Sequence, residues 1–168
     1  VSLDAAVLKV KGPKGEIARN FAYPKISLAF SRDAAAGNNI GNKIIISSQK
    51  ATKKEKKIIG SFFSHIKNMV RGVVEPYVYK LKICSGHFPM AVSVSGRELV
   101  IKNFLGETVP RKVRLPEGAD VKVSGAEIVV SSVDIEIAGL TAGRIEQACR
   151  ITNRDIRIFQ DGCYIVEK

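Results

Sequence analysis

The sequence predicts an α+β fold of two tandem, similar domains, each a small β-sheet structure packed with one helix. Three observations predict it. One pattern occurs twice: Val10-Lys11 followed by Gly15-Glu16 is matched 91 residues on by Ile101-Lys102 followed by Gly106-Glu107, and IIISS (44–48) is matched 84 residues on by IVVSS (128–132). Each copy runs from alternating, strand-like stretches into one helical stretch. A length of 168 residues accommodates two small domains.

In the first copy, VLKVK (7–11) and EIARNF (16–21) alternate as half-buried strands do, with GPKG (12–15) between them as a tight turn. The offset between the copies falls from 91 to 84, so the first copy carries about seven extra residues. SRDAAAGNNIG (31–41), small, polar and Gly-rich, is the place for them, as a surface loop. KIIIS (43–47) is the next strand. Thr52 and Glu55 then form a T-x-x-E capping box, and Ile58, Ile59, Phe62, Phe63, Ile66, Met69 and Val70 give one apolar helical face, which Gly72 is expected to end.

Tyr77, Tyr79, Leu81 and Ile83 alternate as a strand closing the first domain. The predicted domains are 1–82 and 83–168, linked around residues 84–90 (CSGHFPM), where Gly and Pro break the periodicity. AVSVS, LVIKNF, VKVS and EIVVS supply the strands of the second copy. Thr141 is expected to cap its shorter helix, with Ile145, Ala148 and Cys149 inward and Asn153 near the end.

Apolar residues make up 45% and charged residues 26%, the balance of a globular chain rather than a disordered one. No apolar run approaches the ~18 residues of a membrane span, and no signal-peptide pattern opens the chain. Cys84, Cys149 and Cys163 cannot all pair and read as reduced thiols of a cytoplasmic protein; two distant histidines argue against a structural zinc site. The 27 Lys and Arg against 16 Asp and Glu leave a net +11, which implies a polyanionic partner. Up to Lys82 there are 16 basic and 5 acidic residues; from Ile83 there are 11 of each. The excess lies in the first half, while the second half clusters arginines, whose planar fork suits phosphate.

No phosphate-binding loop of the G-x-x-x-x-G-K-[ST] type occurs, and GPKG, between two strands, is a hairpin turn before it is a nucleotide site. The carboxylates are scattered, and neither His65, His87 nor any cysteine has a partner in sequence for nucleophilic chemistry. No catalytic residue, cofactor or metal site is therefore expected, and an enzyme acting on RNA is the weaker reading. A membrane-surface helix is weaker still, because its apolar face serves a core. The run Lys53, Lys54, Lys56 and Lys57 crowds the positive end of a helix, a conflict that an external phosphate removes. Tyr77, Tyr79 and Phe88 could stack on bases, although the sheet alternation explains the tyrosines equally well.

SHIKNMVRGV (64–73), HFP (87–89), NFLGE (103–107) and NRDIRIFQDGCYI (153–165) occur in this order. Together they resemble the universal large-subunit ribosomal protein six family, in its archaeal and eukaryotic form, which is numbered ninth in the eukaryotic large subunit. The resemblance runs from about Val1 to Lys168. It departs from the family pattern at the start, where the leading strand is short, and in the 31–41 loop. It implies a duplicated α+β fold and a structural, non-enzymatic role in the large ribosomal subunit near the site where translation factors dock. It also implies large-subunit ribosomal RNA and neighbouring ribosomal proteins as partners, with no membrane and no small-molecule substrate. Within the closing motif it implicates Asn153, Arg154, Asp155, Arg157 and Gln160. With the basic clusters, the expected RNA-contacting set is Lys102, Arg111, Lys112, Arg114, Arg150, Asn153, Arg154, Arg157 and Gln160, joined by Lys53 and Lys54.

Overall fold

The computed structural model describes residues 1–4, 6–32 and 42–168, and the chain divides into two compact units, 1–74 and 75–168. In the first unit, β1 (Ser2–Asp4), β2 (Val7–Gly12) and β3 (Gly15–Asn20) form an antiparallel sheet. Alternation in β2 buries Leu8 and Val10 while Lys9 and Lys11 face solvent. The GPKG turn joins β2 and β3 as a hairpin, Gly12 opposite Gly15. The turn sits on the end of the helix: a Cβ on Gly12 would lie 2.6 Å from the Val73 carbonyl oxygen, and the Lys14 amide donates to that oxygen at 3.1 Å. Only glycine fits so close an approach.

β4 (Ser27–Arg32) pairs with β5 (Asn42–Ser47). The expected 31–41 loop lies, apart from Ser31 and Arg32 at the end of β4, outside the described residues. Nine residues separate these strands, against two between their counterparts in the second unit, a difference of seven that accounts for the shift in repeat offset.

The helix α1 (Lys53–Val74) starts at the T-x-x-E box. The Thr52 amide donates to Glu55 at 2.9 Å and the Thr52 hydroxyl donates to the same carboxylate, holding it below the usual carboxylate range. Ile66, Met69 and Val73 of α1 are buried, as are Leu8, Val10, Phe21 and Ile26 of the same unit, and Phe62 meets Phe21 edge-on at 5.1 Å. Gly72 does not end the helix. It is buried inside α1, which stops only before Glu75-Pro76, where the proline cannot extend it.

The second unit contains β6 (Tyr77–Cys84), β7 (Ala91–Ser95), β8 (Glu98–Lys102), a 3₁₀ turn (Phe104–Gly106) and β9 (Arg111–Arg114). It continues with β10 (Asp120–Ser124), β11 (Glu127–Ser132), α2 (Ile135–Ala148) and β12 (Gly162–Glu167). One sheet is β7-β8-β9 and the other β10-β11-β6-β12, with every pairing antiparallel. Leu99, Ile101, Val113, Leu81, Ile128 and Val130 from the two sheets share one core with Ala142 and Ile145 of α2.

The boundary therefore falls after Val74, not at Lys82. β6 is a middle strand of the second unit, with Leu81 opposite both Ile128 and Ile165, so residues 84–90 are a loop within that unit rather than a link between domains. Gly and Pro break periodicity wherever a loop occurs and do not distinguish the two cases.

α2 also begins earlier than expected. Asp134 is its cap, accepting from the Glu136 amide at 2.9 Å. Thr141 lies mid-helix, fully buried, its hydroxyl donating to the Ile137 carbonyl at 2.7 Å. Cys149, rather than Asn153, ends the helix. The Cys149 thiol hydrogen-bonds the Cys163 thiol in the core, which lowers the first and, with burial, pushes the second up. All three cysteines are free thiols.

Candidate nucleic-acid interface

In the second unit, the turn after β8, the start of β9 and the segment leaving α2 converge on a single arginine. Strand alternation turns Arg111 to the same side as buried Val113. Its Nε and Nη2 donate to the two Glu107 carboxylate oxygens at 2.8 and 2.5 Å, and Nη1 donates to the carbonyls of Ala148 and Arg150 at 2.7 and 3.2 Å. The guanidinium lies 4.2 Å above the Phe104 ring. Arg111 thus binds the exposed carbonyls where α2 ends, a position that favours a cation. The same pairing holds Glu107 below the usual carboxylate range, Arg154 adding a smaller pull, and raises Arg111.

The geometry explains the NFLGE motif. Asn103, Leu105 and Gly106 have positive φ of 58°, 50° and 78°. A left-handed leucine costs ~1–3 kcal/mol and persists because its side chain is held in the core. The Asn103 side chain donates to the Pro89 carbonyl at 3.0 Å, and a Cβ on Gly106 would lie 3.3 Å from the Phe88 ring. The turn therefore seats the 85–90 loop and aims Glu107 at Arg111.

Residues 150–160 form no helix or strand, yet are held at both ends and in the middle. Arg111 fixes the beginning. At the far end, buried Asp161 accepts from the backbone amides of Gly86 and His87 at 2.5 and 3.3 Å. Between them, Phe159 takes the His87 ring at 5.1 Å and the Arg154 guanidinium at 5.0 Å. Asp155 accepts from the Arg157 backbone amide at 2.9 Å and from its guanidinium at 2.9–3.3 Å, which lowers Asp155 and raises Arg157. The Asp155 carbonyl closes a turn with the amides of Ile158 and Phe159, and Asn153 adopts φ 58°.

This placement divides the expected contact set. Arg111 differs from the others in the set: four of its donor contacts stay inside the protein, so in this structure it builds the surface that carries them. Lys112 and Arg114 face the other way on β9, beside Glu98, which lies 4.0 Å from the Lys112 amine and opposite Arg114 in register. Arg150, Asn153, Arg154, Arg157 and Gln160 are exposed on the held segment, and Lys102 is exposed at the end of β8, next to Asn103. The three arginines share no helical face. Arg154 stacks on Phe159 while Arg157 pairs with Asp155. Lys53 and Lys54 lie on the exposed first turn of α1, in the first unit.

Glu107, Phe159 and Asp161 were missed as positioning residues although they stand inside the quoted motifs. A carboxylate within NFLGE and another beside the Gly of QDGC were the available signals. Tyr79 packs against the core of the second unit, as the sheet alternation implied. Among the described residues no group of three His, Cys, Asp or Glu could hold a metal ion, and no helix is long and apolar enough to cross a membrane.

The family model described as Ribosomal protein L6 matches residues 1–75 and again 88–162, one match in each copy of the repeat. Among similar proteins is the large ribosomal subunit protein uL6 of Methanosarcina mazei, 44% identical over all of this chain and 90% of its own length. The protein of the same name from Nanoarchaeum equitans is 43% identical over all of this chain and 87% of its own. That of Desulfurococcus amylolyticus is 42% identical over all of this chain and 88% of its own.

Proposed function

The chain belongs to the ribosomal protein L6 family, and on that premise we propose that it anchors in large-subunit ribosomal RNA through the held segment 150–160. It is a structural constituent of the large ribosomal subunit and not an enzyme. In this reading it works in the cytoplasm, beside neighbouring ribosomal proteins and close to where translation factors dock. The observation that carries the RNA assignment is the double clamp. An irregular, arginine-bearing segment has its start bound by Arg111, its end by Asp161 and its centre by Phe159. Such a segment offers the Arg154 and Arg157 guanidiniums at positions set by Phe159 and Asp155, which lowers the ordering cost of pose-setting phosphate contacts.

The first unit contributes differently. It carries 14 basic and 4 acidic residues, against 13 and 12 in the second. Lysines, as hydrated point charges, raise the local attraction for RNA without fixing geometry. A tagged full-length chain expressed in an archaeal host tests the proposal by gradient sedimentation. It should travel with the large subunit and be stripped from it by high salt. Abundant soluble chain remaining at the top of the gradient would overturn the assignment.

A further inference from the structure

Among the described residues, the first unit has an open apolar groove. Ile44 and Ile46 of β5 form one wall, and Phe63, Ile66, Val70 and Val74 of α1 form the other, around about 680 Å³. Phe63 and Val74 are 62% and 60% exposed, more than a core-forming helix face leaves to water. Lys67 and Arg71 complete the lining. The order along α1 is Phe63, Lys67, Val70, Arg71, Val74, so apolar side chains and cations share one stripe about three turns long. No carboxylate occurs in α1 after Glu55, and neither cation has an ion pair among the described residues.

We propose that this groove receives an acidic amphipathic helix of a neighbouring protein. An apolar floor calls for aliphatic anchors at i, i+3, i+4 and i+7, and two unpaired cations spaced four residues apart call for carboxylates beside them. RNA matches only half of that. Its phosphates would meet Lys67 and Arg71 and a base would find only the Phe63 ring to stack on, leaving the aliphatic walls of Ile44, Ile46 and Val70 without a matching group. A second copy of this chain fits poorly, because the same face would bring Lys67 and Arg71 against their own equivalents.

The experiment places the photo-reactive p-benzoylphenylalanine at Phe63 of the tagged full-length chain, irradiates intact archaeal cells and sequences the crosslinked species. The expected product is a crosslink to a protein helix with Asp or Glu flanking its apolar residues, with a yield that falls at least threefold when Arg71→Glu is added. A crosslink to RNA, to a second copy, to this chain itself or to a protein segment without acidic residues would overturn the proposal. So would no crosslink, or a yield indifferent to Arg71→Glu. The inference assumes the ribosomal setting proposed above, and gradient fractionation of the same cells separates the two. Failure to enter large subunits counts against the ribosomal reading, whereas the crosslinked product alone decides the groove.

Discussion

Arg111 stands next to Lys112 in a basic run, and the run alone does not tell the two apart. Their difference follows from strand alternation, because a buried Val113 puts Arg111 inward and Lys112 outward. The bidentate partner, Glu107, was legible only as a motif residue four positions away. Arg111→Ala should destabilise the chain by about 1–2 kcal/mol, since it removes charge-assisted hydrogen bonds at a partly exposed site and leaves the Ala148 carbonyl without its donor. Thermal unfolding checks this, with Lys112→Ala, on the open face, expected within ~0.5 kcal/mol of the parent. The pair is also pH-sensitive. Glu107 titrates below its unfolded value of about 4.3, so its stabilisation is complete above that pH and is lost as pH falls through the lowered folded value. Melting curves from pH 6 to pH 3 should therefore converge for the parent and Glu107→Gln. Curves that stayed parallel would show that the ionised Glu107 pair adds no pH-dependent stability. The carboxylate of Asp161 contacts residues 74 and 75 positions away, which no local pattern reveals.

Both helices and eight of the strands were legible, whereas β1, β4, β9 and β12 were not read from the sequence. A T-x-x-E box at Thr52 marked the start of α1 correctly, while Thr141, taken for a cap, is a buried mid-helix residue that satisfies its hydroxyl on Ile137. The true cap, Asp134, follows the strand β11 after a single residue, so strand and helix signals run together there. The strand β6 was found, but its domain depends on pairing with β11 and β12, which lie more than 40 residues on in sequence, so local signals could not place it. The placement makes a sharp prediction. A fragment 75–168 should unfold cooperatively on heating, whereas a fragment 83–168, deprived of the middle strand and of Leu81, should not. Within the full chain, Leu81→Ala should cost about 2–5 kcal/mol. Cooperative melting of the shorter fragment would mean that β6 is an accessory to this fold rather than its centre.

At the scale of the whole molecule, charge and pose are assigned to different units. The sequence made the charge asymmetry visible by counting, and the double clamp on residues 150–160 became visible only when distant segments were brought together. Counterion release makes the logarithm of RNA affinity fall by roughly 0.7–0.9 per contacted phosphate for each decade of salt. Lys53→Ala with Lys54→Ala should therefore flatten the salt dependence while leaving the docked position intact. The most direct measurement compares incorporation of two double variants into large subunits, at equal protein abundance, by gradient sedimentation. The account predicts that Arg154→Ala with Arg157→Ala impairs incorporation several-fold more than Lys53→Ala with Lys54→Ala. If the lysine pair proved the more damaging, total charge rather than the held arginine segment would set the docking, contrary to the account.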